Sequence, residues 1–456
     1  MTESPVVVVG AGPVGLAAAA ELAERGLRPL VLERGNRAGA AVAQWNHVRL
    51  FSRWAELVAP AARRLLESGG WRHPDPEAYP TGAEWAESYL APLAEALGER
   101  VRLGVEVVGV ARRGRDRVVD AGRETEPLTV HVRTADGREE RITAQAVIDA
   151  SGTWTTPNPL GGEGLPAIGE AMASDRIAYQ VPNLTDPTIA NQYAAKHVVV
   201  AGSGHSALTA LVAFAGLAER HSRTRVTWLL RRGAVGAVFG GGEADQLPAR
   251  GALGLRAKAA VEAGRIEVAT GFRTEGIERD GEGRLVLVSS EGHSLESVDA
   301  VVVVAGFRPD LSWLSEVRLA LDATLQAPVA LASLIDPNVH SCGTVYPHGV
   351  RELAHPEPNV FLAGMKSYGR APTFLAMTGY EQVRSIAAAL AGDRESAERV
   401  ELVLPETGVC GGSGVFDAPA EARPGGCCAA PGAVPKGGNR VDQGFTPAAV
   451  GVRSIR

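Results

Sequence analysis

The chain has 456 residues with a formal net charge of −6, and 45% of them are hydrophobic against 21% charged. That length exceeds the size at which one core stops growing, so two or more domains are expected. Mild acidity without an extended basic tract argues against nucleic acid as a partner, and no apolar run reaches the roughly 18 residues that a membrane span requires.

The first predicted elements come from VVVVGAGPVGLAAAAELAERG. Its pattern predicts a buried strand over Val6 to Val9, a glycine turn, and an Ala-rich helix from Pro13 to Arg25. Gly10 permits the tight turn, Gly12 lets the backbone approach a pyrophosphate, and Gly15 lets helix and strand pack closely. The free N–H groups at the helix start then face the anion. A second strand, Pro29 to Leu32, delivers Glu33, followed by Arg34. An acid roughly 20 residues beyond the turn accepts hydrogen bonds from a ribose 2′-hydroxyl and repels a 2′-phosphate. This first site is therefore expected to hold the AMP half of FAD or NAD. Thr2, Glu3 and Ser4 provide no basic leader region, so a cytoplasmic location is expected.

An aromatic-rich stretch follows, carrying Trp45, Trp54, Trp71 and Trp85, with strands expected near 101–110 and 128–133. The phrase AVIDASGTWTTPNP then reads as a buried strand over Ala146 to Ala150 that ends at Ser151 and Gly152, returning the chain toward a second unit. That unit opens with HVVVAGSGHSALTAL, a repeat of the first arrangement with Gly202, Gly204 and Ala207. Alanine at the third position is an accepted variant. His205 and Ser206 lie where the helix starts and offer donors to a pyrophosphate. After the next strand, Arg225 to Leu230, the chain carries Arg231 and Arg232 in place of an acid. A planar guanidinium binds a phosphate dianion bidentately, which favours NADPH here. The strand Ala300 to Val304 leads into AGFRPD, a second crossing, and NVFLAGMKSYG with a helix over Phe374 to Leu390 completes the first unit.

Both fingerprints, both crossings and the late segment around Gly364 occur in this order. On those motifs the chain is identified as a member of the two-dinucleotide-binding-domain flavoproteins. Within them it resembles class B flavin-dependent monooxygenases and the flavin monooxygenase-like proteins of arsenic-resistance operons, over roughly residues 1 to 392. The resemblance implies an α/β fold of two Rossmann-like domains, the NADPH domain inserted into the FAD domain. Residues 1–160 and 295–392 would form the FAD domain, 161–294 the NADPH domain, and 393–456 a Gly-, Pro- and Cys-rich tail. It also implies FAD and NADPH as cofactors, molecular oxygen and a small molecule as substrates, and Gln44, Trp45, Asn46, Arg49 and the 366–370 stretch beside the flavin ring. Two departures stand out. The monooxygenase signature Phe-x-Gly-x-x-x-His has no match around Ile168, Gly169 and Tyr179, and Gly364 is followed by Met365 where related reductases carry an aspartate.

No Cys-x-x-Cys pair occurs, which argues against dithiol chemistry of the thioredoxin-reductase kind. Cys342 is flanked by His340, His348 and His355, a set suited to a soft metal or metalloid but irregularly spaced. Cys410, Cys427 and Cys428 stand in a tail too poor in apolar residues to offset its ordering entropy, where three thiols could gather around trivalent arsenic. Three functions stay open at this point: a monooxygenase acting on a small soft nucleophile such as a trivalent arsenical, a flavin reductase of an acceptor such as a quinone, and a flavin-bearing metalloid-binding protein. No catalytic side chain is assigned, because the flavin carries the chemistry in such enzymes.

Overall fold

Val6–Val9 are all buried, as expected of a strand covered on both faces, which can be apolar throughout. The computed structural model describes residues 4–245, 247–337, 347–372 and 374–402. Its first sheet has five parallel strands in the order Val360–Leu362, Ala146–Asp149, Val6–Val9, Pro29–Glu33 and Val101–Leu103. A second five-stranded parallel sheet has the order Glu267–Ala269, Arg225–Leu229, His197–Ala201, Ala300–Val303 and Ile177–Ala178. In each sheet the strand feeding a glycine turn is central, with the next strand on one side and a returning strand on the other. The chain therefore reverses direction across the sheet at that strand, which is where open α/β sheets collect their ligands.

The two units repeat each other further than the fingerprints suggest. Each inserts a three-stranded antiparallel sheet before its returning strand: Val105–Arg112, Leu128–Thr134 and Glu139–Ala144 in the first, Thr274–Arg279, Leu285–Ser289 and Ser294–Val298 in the second. This corrects the expected boundary at residue 294. Ala300–Val303 pairs with His197–Ala201 and Ile177–Ala178, so the second unit extends past Ser294 and the chain crosses back only after Val304. A hairpin turns just before Ser294, and two further strands of the same unit follow, Ser294–Val298 and Ala300–Val303.

Helix packing explains the alanines of the first fingerprint. Ala17–Ala20 of the helix Pro13–Glu24 are at most 2% exposed, caught between the sheet and the late helix Ala376–Leu390. A Cβ at Gly379 would lie 2.5 Å from a methyl of Val14, so that crossing needs glycine. The late helix is buried along most of its length and carries a buried pair, Arg384 with Glu381 at 2.6 Å.

A second buried cluster ties the first antiparallel sheet to the segment entering Val360–Leu362. Glu357 receives Arg112 at 2.6 Å and Arg123 at 2.7 Å, and also accepts from the Arg318 amide. Burial pushes the Glu357 carboxyl up, but the hydrogen bonds from Arg123 and Arg112 outweigh it and hold the group below its ordinary 4.5. A carboxyl lowered on folding contributes stability above its unfolded value and loses it as pH falls through the folded one. Glu357→Gln should therefore cost about 3–5 kcal/mol in urea unfolding at neutral pH, since two guanidinium groups lose their buried partner. It should also flatten the loss of stability below pH 4.5. An unchanged urea midpoint would reject this role for the cluster.

Candidate active site

The glycines of each fingerprint divide into two kinds. Gly10 has φ +98°, and a Cβ there would lie 2.9 Å from Ser151 Cα; a Cβ at Gly15 would lie 1.9 Å from the Gly10 carbonyl oxygen. In the second unit, Gly202 has φ +138° and a Cβ there would lie 2.4 Å from the Val304 carbonyl oxygen. These positions exclude any side chain because backbone already fills the space. Gly12 and Gly204 differ: nothing lies within 4 Å of their added Cβ, and each caps the start of a helix, Pro13–Glu24 or His205–Arg220. Two open cradles at helix N-termini, free of side-chain bulk, suit the pyrophosphate of a bound dinucleotide.

Glu33 ends the second strand, where the fingerprint leads to an acid, and braces the turn. Its carboxylate accepts from the Ala11 amide at 2.8 Å and the Gly35 amide at 2.7 Å, with lone pairs remaining for a ribose hydroxyl. Arg34 points outward, 3.6 Å from Glu106. The Gly39 amide donates to the Ala11 carbonyl, so the short helix Ala40–Gln44 starts at the first glycine turn and carries Gln44 away from it. Gln44 Oε1 accepts from Trp154 Nε1 at 2.9 Å. Trp45 packs against Gly82, where a Cβ would lie 2.7 Å from its ring, and its ring centre lies 6.4 Å from that of Trp85.

In the second unit, His205 is half-buried and its ring lies 5.1 Å from that of Phe51, so a first-unit aromatic touches the second glycine turn. Burial, followed by the charge of Arg250, pulls His205 down to about 4 against the opposing pull of Asp245. The imidazole is thus neutral near pH 7 and offers a hydrogen bond but no charge. Ser206 is exposed on the first turn of the helix. Arg231 is exposed just beyond the strand Arg225–Leu229, with Nη1 donating to the Gly162 carbonyl at 3.1 Å, and the Arg232 carbonyl accepts from the Gly271 amide. The Gly10 amide bonds to the Leu32 carbonyl and the Gly202 amide to that of Leu229, so Leu230 stands where the first unit carries Glu33 and the two arginines follow one and two residues later.

The late segment holds what sequence reading did not anticipate. Met365 is 37% exposed, whereas Lys366 is buried. Lys366 Nζ lies 2.8 Å from Asp149 Oδ2 and donates to Ser151 Oγ at 2.8 Å, while Ser151 Oγ donates to Asp149 Oδ1 at 2.6 Å. The ion pair joins the end of the returning strand to the Gly364 turn, behind the first glycine cradle. Gly364 has φ +69° and lies against Val14; its amide donates to Gln382 Oε1, and Gln382 Nε2 in turn donates to Ser367 and His348. Lys366 and Ser367, expected beside the flavin, are thus turned into the protein. The half-buried His355 is held down near 4, chiefly by loss of water around the ring, and accepts from the Ala320 amide. His348 and His355 thus have separate partners, and no group of three or more His, Cys, Asp or Glu suited to a metal occurs among the described residues. His340 and all four cysteines, Cys342, Cys410, Cys427 and Cys428, lie outside the described residues.

The two crossings meet as an antiparallel pair. Pro157 bridges Phe307, the Asn158 amide donates to the Gly306 carbonyl at 2.9 Å, and the Arg308 amide donates to the Thr156 carbonyl at 2.8 Å. This pairing sets the Trp154 and Phe307 rings 4.9 Å apart. Beside them lies an open cleft of 440 Å³, lined also by Gln44, Thr155, Pro157, Ala178, Tyr179 and Gln180. The one sequence signal for it was an aromatic residue shortly after the glycine of each crossing, Trp154 after Gly152 and Phe307 after Gly306. Gly152 has φ +70° with open space around its Cβ position. Tyr179 donates its hydroxyl to buried Glu170 at 2.6 Å, and burial together with that carboxylate pushes the phenol well up.

Comparison with known proteins agrees with this architecture. Residues 4–357 match the model of the pyridine nucleotide-disulphide oxidoreductase family. A thiamine thiazole synthase of Saccharolobus islandicus is 31% identical over 180 residues, 39% of this chain and 65% of that protein. The indole-3-pyruvate monooxygenase YUCCA1 of Oryza sativa is 30% identical over 204 residues, 44% of this chain and 43% of that protein, so the matched regions span less than two thirds of either relative. The bacillithiol disulfide reductase Bdr of Bacillus cereus has the same fold, with a TM-score of 0.61 at 22% identity, covering 86% of this chain and 99% of that one. No helix among the described residues is long and apolar enough to cross a membrane.

The two kinds of glycine should separate on substitution. Gly12→Ala should leave the circular dichroism spectrum and soluble yield unchanged but give colourless protein, because its methyl group enters the pyrophosphate cradle; retained flavin absorbance would reject that contact. Gly15→Ala should instead lower the yield of folded protein. Arg231→Ala should weaken NADPH more than NADH, by about 1–3 kcal/mol if a charged hydrogen bond is lost. Equal losses in KM for the two nucleotides would remove the phosphate role.

Proposed function

The chain belongs to the pyridine nucleotide-disulphide oxidoreductase family and is an FAD-binding, NAD(P)H-dependent oxidoreductase; from that premise we propose that it is an NADPH-dependent monooxygenase of a small soft nucleophile. One oxygen atom of O2 goes to sulfur, nitrogen or trivalent arsenic on the substrate. The other leaves as water, with NADPH and one proton supplying the electron pair and the hydrogen. Bound FAD supplies the electron relay and the activation of oxygen.

The observation that carries this reading is the lining of the cleft beside the paired crossings. Among its lining residues there is no thiol, carboxylate, imidazole or amine, and its one phenol is committed to Glu170. A site without a protein nucleophile suits chemistry in which the cofactor reacts and the protein supplies orientation and dryness. Gly12 and Gly204 receive the two pyrophosphates, Glu33 orients the first ribose, and Arg231 with Arg232 selects the 2′-phosphate. Trp154 and Phe307 keep water from one wall, and Gln44, fixed through its carbonyl by Trp154, presents an amide toward the cleft. Absence of a Cys-x-x-Cys pair from the chain supports oxygen transfer over dithiol exchange.

Turnover under ¹⁸O2 with NADPH and an aryl sulfide or trivalent aryl arsenical decides the matter. Mass spectrometry should find one labelled oxygen in the product for each NADPH consumed. Unlabelled substrate, together with one-for-one reduction of an added quinone, would replace this reading by a reductase.

A further inference from the structure

The polarity of the cleft narrows the substrate further, resting on the reading that substrate meets the flavin here. Trp154 and Phe307 are half-buried, standing beside an opening rather than packed away in a core, and Pro157 and Tyr179 extend the same apolar wall. Two flat rings 4.9 Å apart offer their faces and edges to a third ring. The 440 Å³ of space falls within the range of about 300–1,000 Å³ typical of small-molecule sites.

Charge is missing from this lining, and the two charged side chains joined to it, Glu170 through Tyr179 and Arg308 next to Phe307, have partners of their own. Glu170 sits beneath Tyr179, buried, with its oxygens taken by the Leu160 amide, the Ala167 amide and the Tyr179 hydroxyl. Arg308 follows Phe307 but donates to Asn158 and to the Gly164 carbonyl. An ammonium or carboxylate entering the cleft would lose water and find no counter-charge, which is costly. The polar groups left are neutral amides. Gln44 Oε1 is taken by Trp154 at 2.9 Å and by Gln180 Nε2 at 3.5 Å, so Gln44 contributes its Nε2 donor and Gln180 its carbonyl acceptor.

We propose that the cleft takes a neutral, flat, aromatic substrate that carries its soft atom on the ring, such as an aryl sulfide or a trivalent aryl arsenical. Amines, carboxylates and free amino acids are excluded by the same lining. The rings stack against Trp154 and Phe307, and any neutral polar substituent bonds to Gln44 or Gln180.

Calorimetric titration of the oxidised, FAD-loaded protein at saturating NADP⁺ tests this with three probes of similar size: methyl phenyl sulfide, benzylammonium and benzoate. The sulfide should bind at least tenfold more tightly than either ion. Trp154→Ala and Phe307→Ala should each weaken it tenfold or more, while Trp154→Phe, which keeps a ring, should retain most of the affinity. Gln44→Glu, on an exposed residue, should weaken the sulfide and raise benzylammonium binding. Equal affinity for the ions, indifference to Trp154→Ala, or loss of sulfide binding on addition of NADP⁺ would each overturn the inference, the last by assigning the cleft to the nicotinamide. The predicted charge preference without labelled oxygen in the sulfoxide would uphold it and remove the monooxygenase reading. Labelled product with no charge preference in binding would do the reverse.

Discussion

The antiparallel pairing of the two crossings is the constraint on which the candidate site depends. A chain that inserts one dinucleotide unit inside another must pass between them twice, and here both passages hydrogen-bond to each other through Asn158 with Gly306 and Arg308 with Thr156. Backbone bonds of this kind fix register, and register decides which side chains face each other. Trp154 therefore meets Phe307, Gln44 of the first unit reaches Trp154, and Gln180 of the second completes the wall.

The first glycine cradle is held from two directions. Glu33 fastens the turn to the loop after the second strand, while Lys366 and Asp149 fasten the returning strand to the late segment. A buried ion pair gains little over apolar packing, but losing either member strands a charge in the interior. Its value here is geometric. Ser151, bonded to both charges, lies so close to Gly10 that only glycine fits at position 10. Where the resemblance leads to an acid after Gly364, Met365 stands at the surface, and the Gly364 turn is held by Gln382 and the Lys366 pair.

The fold itself does not choose between reduction and oxygen transfer, since solved relatives of this architecture include a disulfide reductase and a sequence relative is named a monooxygenase. Function rests on the site rather than the scaffold. Among the described residues, the uncharged lining of the cleft is the feature from which the proposed chemistry is argued: on that reading the protein contributes binding and alignment, and the lining sets the polarity of what enters.

Sequence alone determined the features that depend on neighbours along the chain. The valine runs, the glycine spacings, Glu33 at the end of its strand, and the arginine pair just beyond the corresponding strand of the second unit are all local patterns, because strand, turn and helix must follow one another within some twenty-five residues. Tertiary structure decided whatever needed distant segments to meet. The packing of the Trp45 ring on Gly82 beside Trp85 joins segments some forty residues apart. The boundary near Ser294 gave way because Ala300–Val303 joins a sheet whose central strand lies a hundred residues earlier. Lys366 could not be matched to Ser151 across 215 positions, nor Trp154 to Phe307 across the whole inserted unit. Composition and spacing carry no information about such meetings, which are set by how two sheets and their crossings pack in space.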